Sequence, residues 1–139
     1  MFTPQLYILH SKITSTTDLT DVKIIIIDSI GLLNKLYKYA DIVYIGGGFG
    51  KSIHNIQEPA VFGVPILTGP KINKFNEAVD LQKLGGLEII HNQEETNKIF
   101  DLLLSNESLR KEKAEITKKY ALKNVGATDK IIQFLKRQV

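Results

Sequence analysis

Short apolar runs alternate with longer segments of helical periodicity along the whole chain. Runs rich in β-branched and aromatic residues predict five strands, at residues 5–9, 22–27, 43–45, 64–68 and 87–90. Apolar residues at helical spacing predict helices at residues 29–40, 56–62, 74–84, 94–104, 107–123 and 128–136. This alternation predicts an α/β fold, a Rossmann-like parallel sheet with right-handed crossovers and helices on both faces.

Three details of the pattern carry specific expectations. The run at 22–27 is apolar apart from Lys23, which is typical of an interior parallel strand covered on both faces. Ser29 is a suitable cap for the next helix, whose apolar positions are Leu32, Leu33, Leu36, Tyr39 and Ala40. In the helix at 94–104 the residues expected to face inward are Ile99, Leu102 and Leu103.

The central strand at 43–45 stops at three consecutive glycines, Gly46 to Gly48, which precede the polar start of a helix. Parallel strands leave the sheet at its carboxyl edge, where open α/β sheets bind ligands. Glycines permit close approach to a ligand, and a helix start attracts anionic groups. We therefore expect a phosphate- or carboxylate-bearing ligand at an edge that gathers four loops, at residues 10–11, 28–31, 46–55 and 68–71.

The spacing of this turn does not match two common phosphate-binding loops. A P-loop ending in Gly50-Lys51-Ser52 requires a glycine where the chain has Ile45. A dinucleotide fingerprint that starts at Gly46 requires a third glycine where the chain has Lys51.

Composition indicates one domain of ordinary size, with 139 residues and a formal net charge of +3. The chain has no cysteine, which excludes disulfides and thiolate metal sites. Its histidines, His10, His54 and His91, are scattered, so we expect no metal and no cofactor. No apolar run is long enough to span a bilayer, and we expect a cytoplasmic protein.

The charge is concentrated at the carboxyl end. Residues 105–139 hold 9 of the 18 Lys and Arg but only 4 of the 15 Asp and Glu. This pattern indicates a solvated helix face, or alternatively a surface for anionic lipid or a polyanion. Because no aromatic residues are interleaved with these charges, we do not expect nucleic acid as a partner.

An ordered set of short motifs carries a family resemblance. The motifs are Asp28-Ser29-Ile30-Gly31, Ala40-Asp41, Gly46-Gly47, His54-Asn55, Glu58-Pro59-Ala60, Gly63-Val64-Pro65, Gly69-Pro70, Phe75-Asn76-Glu77-Ala78 and Gly85-Gly86. From about Asp28 to the end, the chain resembles the carboxyl-terminal domain of the Kdo transferases. These GT-B glycosyltransferases of lipopolysaccharide biosynthesis transfer 3-deoxy-manno-octulosonate (Kdo) from CMP-Kdo to a lipid A precursor.

The resemblance implies a set of substrate contacts with CMP-Kdo. They are Ile30, Gly31, Gly46, Gly47, His54, Asn55, Ile56, Gln57 and Glu58. Lys51 and Lys71 are candidate anion contacts for the phosphate. The chain departs from the family at two positions, with Leu32 in place of an acidic residue and Ile53 in place of the commoner glycine.

The same resemblance implies that the catalytic base belongs to an amino-terminal domain outside this chain. No catalytic residue is therefore assigned here, and residues 1–139 are expected to be one nucleotide-sugar-binding domain of a two-domain enzyme, incomplete at its amino-terminal side and inactive alone. The lipid A precursor would bind through the missing domain. The full protein would then work at the cytoplasmic face of the inner membrane, with a membrane surface as a partner.

Two sets of alternatives remain open. Asn55 and Glu58 have the spacing of a capping box, so they serve either the helix or the ribose of the nucleotide. The pattern from Glu58 to Pro65 also occurs in other GT-B enzymes that use UDP- or GDP-sugars and in sugar-nucleotide epimerases. A third class is a non-enzymatic α/β module that binds a nucleotide or nothing.

Overall fold

The structure is a computed structural model that describes residues 6–137 and divides the chain into two compact units. The first unit ends at Leu36 and the second begins at Tyr37. All five predicted strands are present, paired in parallel as two sheets, and the α/β class is confirmed. No helix among the described residues has the length and apolarity needed to cross a membrane. That residues 1–139 form one domain stays a prediction.

The first unit contains a two-stranded sheet of β1 (Tyr7–Leu9) and β2 (Ile24–Ile26). A 3₁₀ helix, His10–Lys12, follows β1, and a single helical turn, α1 (Leu33–Leu36), ends the unit. The predicted burial of β2 is wrong, because its three isoleucines are 43 to 56% exposed. Within the described part of this unit, one helical turn and one 3₁₀ helix are too short to cover both faces of a sheet. Gln5 lies outside the described residues.

The loops that follow β1 and β2 meet at one edge, as predicted. Asp28 accepts hydrogen bonds from the Ser11 backbone N–H at 3.0 Å and from its hydroxyl at 2.5 Å. Both bonds hold the pKa of Asp28 below its usual value, and the bond from the Ser11 hydroxyl has the larger effect.

The predicted cap at Ser29 is wrong, because α1 begins only at Leu33. Gly31 has a φ of +87°, so its left-handed backbone interrupts any helix between Ser29 and Leu33. Leu33 and Leu36 are consequently exposed rather than buried along a continuous apolar face.

The second unit is built on the parallel sheet β3-β4-β5, with β3 at Val43–Ile45, β4 at Ile66–Thr68 and β5 at Leu87–Ile89. Its helices are α2 (Gln57–Val61), α3 (Asn76–Leu84), α4 (Gln93–Ser105), α5 (Glu107–Lys123) and α6 (Ala127–Lys136). These elements confirm the predicted order, and their boundaries lie within two residues of the predicted ones.

Two apolar clusters cover the two faces of this sheet. Ile45, Ile66 and Leu87 belong to the larger cluster, which includes Ala60 from α2 and Leu81 from α3. The smaller cluster joins Leu67 and Ile90 to Leu103 of α4, with Ile99 partly buried against it. The predicted inward position of Leu102 is wrong, because this side chain is 47% exposed. Ile99 and Leu103 are one helical turn apart on the face that meets the sheet, and Leu102 lies to one side of that face.

Glycines let the long helix α5 approach the loops that follow α2 and α3. A Cβ atom added at Gly86 would lie 2.9 Å from Thr117 Cγ2, and one at Gly63 would lie 3.0 Å from Lys118 Cβ. Lys113 of α5 donates to the Gly85 carbonyl at 2.9 Å and pairs with Glu88. The helix is therefore held by both close packing and a half-buried ion pair.

Candidate functional site

The loop that follows β3 closes on itself through backbone hydrogen bonds. The His54 N–H donates to the Gly46 carbonyl at 3.1 Å, and the Gly50 N–H donates to the Gly47 carbonyl at 2.8 Å. A Cβ atom added at Gly47 would lie 2.0 Å from the Ser52 carbonyl oxygen, and Gly47 has a φ of +89°. Only glycine fits this position.

The loops that follow β3 and β4 pack directly against each other. A Cβ atom added at Gly48 would lie 2.6 Å from the Gly69 backbone nitrogen, and the Lys71 N–H donates to the Gly48 carbonyl at 3.0 Å. The Thr68 hydroxyl donates to the Ile45 carbonyl at 2.8 Å and ties the ends of the two strands together. The glycines are predicted to permit close approach of a ligand, whereas backbone atoms of the protein itself lie within 2.0 Å of a Cβ atom added at Gly47 and within 2.6 Å of one added at Gly48.

Asn55 and Glu58 form a local polar pair at the start of α2. The Asn55 Oδ1 accepts from the Gln57 N–H at 2.9 Å, and its Nδ2 donates to Glu58 Oε1 at 3.1 Å. In a capping box the carboxylate would instead accept from the backbone N–H of Asn55. In this geometry Asn55 accepts from the N–H of the first residue of α2 and also orients Glu58, whose exposed carboxylate keeps further lone pairs for a ligand.

Two isoleucines anchor the loop to the core. Ile53 is 5% exposed and Ile56 is 1% exposed, and both belong to the larger apolar cluster. The Ile56 side chain is therefore buried, and only its backbone is available for the predicted ligand contact. His54 lies between them with its side chain exposed, and its Cδ2 is close to Gly46.

Two further residues adjoin this polar start of α2 and were not predicted as site residues. Burial, and secondarily the charge of Glu58, raise the pKa of the Tyr37 phenol. Glu77 of α3 accepts from Gln57 Nε2 at 3.4 Å. Helical periodicity did not indicate Tyr37, because a 3₁₀ helix, Tyr37–Tyr39, replaces the expected α-helix there. Glu77 was present in a motif of the resemblance without an assigned role.

The predicted site residues are thus distributed over both units. The predicted residues from Gly46 to Glu58 lie along the loop after β3 and the first turn of α2, and the loop that carries the exposed Lys71 packs against them. Lys51 is exposed on the loop after β3, and neither lysine has an ion-pair partner among the side chains described, those of residues 6–126 and 131–137. Ile30, fully exposed, and Gly31 belong to the first unit. The ligand contacts themselves stay predictions.

The second unit also has cavities outside this loop. One of them, an apolar cavity of about 540 Å³, lies between α3 and α5 and is rimmed by Lys83, Lys119 and Lys123. It is remote in sequence from the polar loop, and we base the site on the loop because its charged and amide groups converge at the edge of the sheet.

Comparisons with known proteins give a consistent assignment. No protein-family profile matches the chain. The chain is 29% identical over 123 residues to the 3-deoxy-D-manno-octulosonic acid transferase of Chlamydia pneumoniae, covering 85% of this chain and 28% of that protein. It is 33% identical over 92 residues to the enzyme of the same name from Aquifex aeolicus, covering 64% of this chain and 26% of that protein. The chain thus spans about a quarter of the length of these relatives.

The fold also has a solved counterpart, the crystal structure of the C-terminal CMP-Kdo binding domain of WaaA from Acinetobacter baumannii. The match has a TM-score of 0.71 at 21% sequence identity and covers 83% of this chain and 60% of that chain. The resemblance inferred from the sequence is therefore confirmed. In sequence the chain is a relative of the Kdo transferases, and in fold it is similar to a carboxyl-terminal domain of that kind.

Proposed function

We propose that this chain is the donor-binding half of a Kdo transferase and that its ligand is CMP-Kdo. The observation that carries the proposal is the exposed carboxylate of Glu58, oriented by Asn55 at the carboxyl edge of β3. The similarity to Kdo transferases over most of the chain supports it. The supporting structural match concerns the fold.

The chemistry of the donor explains why these groups suit it. CMP-Kdo presents a ribose diol, one phosphate and a sugar carboxylate. A carboxylate such as Glu58 can accept hydrogen bonds from both ribose hydroxyls, and an ammonium group such as Lys51 or Lys71 attracts the phosphate. As CMP departs, negative charge grows on the phosphate, so nearby cations stabilise the transition state more than the ground state.

The second half of the proposal concerns the complete enzyme. The lipid A precursor would bind to an amino-terminal domain, which would also supply the base that deprotonates the acceptor hydroxyl. In this GT-B arrangement the full protein acts at the cytoplasmic face of the inner membrane. Because the base and the acceptor surface belong to that other domain, the purified chain should transfer no Kdo. Transfer of radiolabelled Kdo by this polypeptide alone would contradict the assignment.

The donor specificity can be tested by the thermal stability of the chain with CMP, UMP and AMP. A ligand at ten times its dissociation constant stabilises by about 1.4 kcal/mol, or a few degrees for a domain of this size. We expect CMP to raise the melting temperature more than UMP or AMP at equal concentration. Equal shifts from all three nucleotides would favour a general GT-B or epimerase domain, and no shift from any of them would favour the non-enzymatic alternative.

A further inference from the structure

The cavity between α3 and α5 is separate from the loop that carries the predicted donor contacts. None of its lining residues belongs to that loop or to the first unit. Lys83 and Leu84 end α3 and shortly precede β5, so they lie near the amino edge of the sheet. The polar loop follows β3 at the carboxyl edge, and these two edges are opposite because all three strands are parallel. The cavity is therefore a different site from the proposed donor site.

The interior of this cavity is mainly apolar. Leu84 of α3 and Ile116 of α5 line it together with Tyr120, whose hydroxyl donates to Asp80 at 3.5 Å. Leu84 is 54% exposed, and Ile116 is only partly buried. A ligand that covered these two side chains would remove apolar surface from water, which favours an alkyl chain. The volume of about 540 Å³ is typical of sites that hold one small molecule.

The rim of the same cavity is positively charged. Lys83 on one wall and Lys119 and Lys123 on the other supply three ammonium groups, against the one carboxylate of Asp80. Lys83 and Lys123 have no ion-pair partner among the side chains that the structure describes. Lys119 lies 3.5 Å from Glu115 in an exposed pair, and such a pair is weak enough to exchange for another anion. The rim therefore attracts an anionic group.

This combination of an apolar interior and a basic rim favours one class of partner. A nucleic acid or another polyanion would pair with the lysines but would leave the apolar interior uncovered. A bilayer surface is broad and flat, whereas this cavity is concave and lies between two helices. A single molecule that carries both an alkyl chain and an anionic group satisfies both parts of the site.

We propose that the cavity between α3 and α5 binds one molecule of a single-chain amphiphilic anion. Its alkyl chain contacts Leu84 and Ile116, and its phosphate or carboxylate group lies among the three lysines of the rim. The ammonium groups donate charge-assisted hydrogen bonds to the anionic group, while the chain is removed from water. Because both contributions are needed, neither a simple anion nor a neutral alkyl compound binds as tightly.

The test is a titration of the full chain with octyl phosphate, below the concentration at which it forms micelles, and with octanol and inorganic phosphate. Calorimetry gives the affinities, and the methyl NMR signals of Leu84 and Ile116 locate the ligand. We expect octyl phosphate to bind at least about tenfold more tightly than either of the other two compounds. It should also shift both methyl signals.

Variants separate the contributions of charge and apolar contact. A triple variant with Lys83→Gln, Lys119→Gln and Lys123→Gln should bind octyl phosphate about tenfold or more weakly. Leu84→Gln should also weaken octyl phosphate, by about threefold or more, and should leave the affinity for inorganic phosphate unchanged. The matched control removes the same charge from exposed lysines outside the cavity and should bind octyl phosphate like the unmodified chain. Its substitutions are Lys98→Gln, Lys111→Gln and Lys118→Gln.

Four results would overturn the proposal. Equal affinity for inorganic phosphate would indicate a simple anion site, and equal affinity for octanol would indicate an apolar groove only. Equal weakening in the two triple variants would indicate a general effect of charge. Absence of octyl phosphate binding would also overturn it, and binding to phosphatidylglycerol vesicles in that case would assign the lysines to a bilayer surface. No nucleotide is used in this test, so its outcome is independent of the proposed donor.

Discussion

The side-chain amide of Asn55 donates a hydrogen bond of 3.1 Å to the carboxylate of Glu58. Asn55 also accepts from the Gln57 N–H, so the backbone at the start of α2 is served by the amide and not by the carboxylate. The capping and ribose alternatives for Glu58 are therefore separable by experiment. Removing the charge of Glu58 tests the ligand with little effect on the helix.

We expect Glu58→Gln to weaken CMP-Kdo binding by the complete enzyme by roughly 1.5 to 3 kcal/mol, about ten- to a hundredfold or somewhat more. The reason is the loss of charge-assisted hydrogen bonds to the ribose. The free energy of unfolding of the chain should change by well under about 1 kcal/mol, since glutamine still accepts from Asn55. Calorimetry and urea unfolding measure the two quantities, with Glu112→Gln on the exposed face of α5 as the control. Unchanged affinity would leave Glu58 as part of the helix start only.

The contact between Gly48 and Gly69 predicts a strong effect of one methyl group. Gly48→Ala would place its Cβ atom 2.6 Å from backbone, and we expect a loss of about 1 to 3 kcal/mol in the free energy of unfolding. Gly50→Ala in the same loop is the control, because its Cβ atom would lie 3.4 Å from the Gly47 carbonyl oxygen, close to ordinary contact. Chemical denaturation of both variants checks this. Equal stability of the two variants would show that the two loops move apart without cost.

The raised pKa of Tyr37 predicts a loss of stability at high pH. The folded state retains the phenolic proton to a higher pH than the unfolded state, whose pKa is near 10.0. Folded molecules therefore bind more protons above that pH, and the free energy of unfolding falls as pH rises. Tyr120 contributes in the same direction, because burial raises its pKa as well. Tyr37→Phe should make the decline between about pH 9 and 11 shallower, as measured by urea unfolding.

A second measurement isolates the role of Glu58 in this effect. Absorbance titration of the phenolate should show a lower pKa for Tyr37 in Glu58→Gln than in the unmodified chain, because the carboxylate charge opposes ionisation. This decrease in the Tyr37 pKa should be smaller than the total amount by which the protein raises it, since burial is the larger cause. No change would mean that the two side chains are farther apart in solution.

Two lysines of α5 provide a matched comparison of ion pairs. Lys113 is 12% exposed in its side chain and binds both Glu88 and the Gly85 carbonyl, whereas Lys111 is 76% exposed and pairs with Glu107 within the helix. We expect Lys113→Met to cost about 1 to 3 kcal/mol and Lys111→Met less than about 1 kcal/mol. Added salt should reduce the loss of unfolding free energy caused by Lys111→Met and leave most of the loss caused by Lys113→Met, because salt screens exposed charges more than buried ones. Equal costs would show that the Lys113 pair is as weak as a surface pair.

The sequence by itself determined the order and type of nearly every element of this protein. Local rules were sufficient, because β-branched runs specify strands, and Gly63 and Gly85 end their helices in left-handed backbone with φ of +66° and +87°. The same local motifs, taken in order, carried the resemblance to the Kdo transferases. They also placed Asn55 and Glu58 at the start of α2.

Only the tertiary structure decided which residues are neighbours across the chain. The contact of Gly48 with Gly69 and the effect of Glu58 on Tyr37 join positions more than 20 residues apart, where no periodic pattern applies. Burial of β2 failed as a prediction for the same reason. An apolar composition makes a strand suitable for burial, but whether the strand is buried depends on the strands and helices that pack around it.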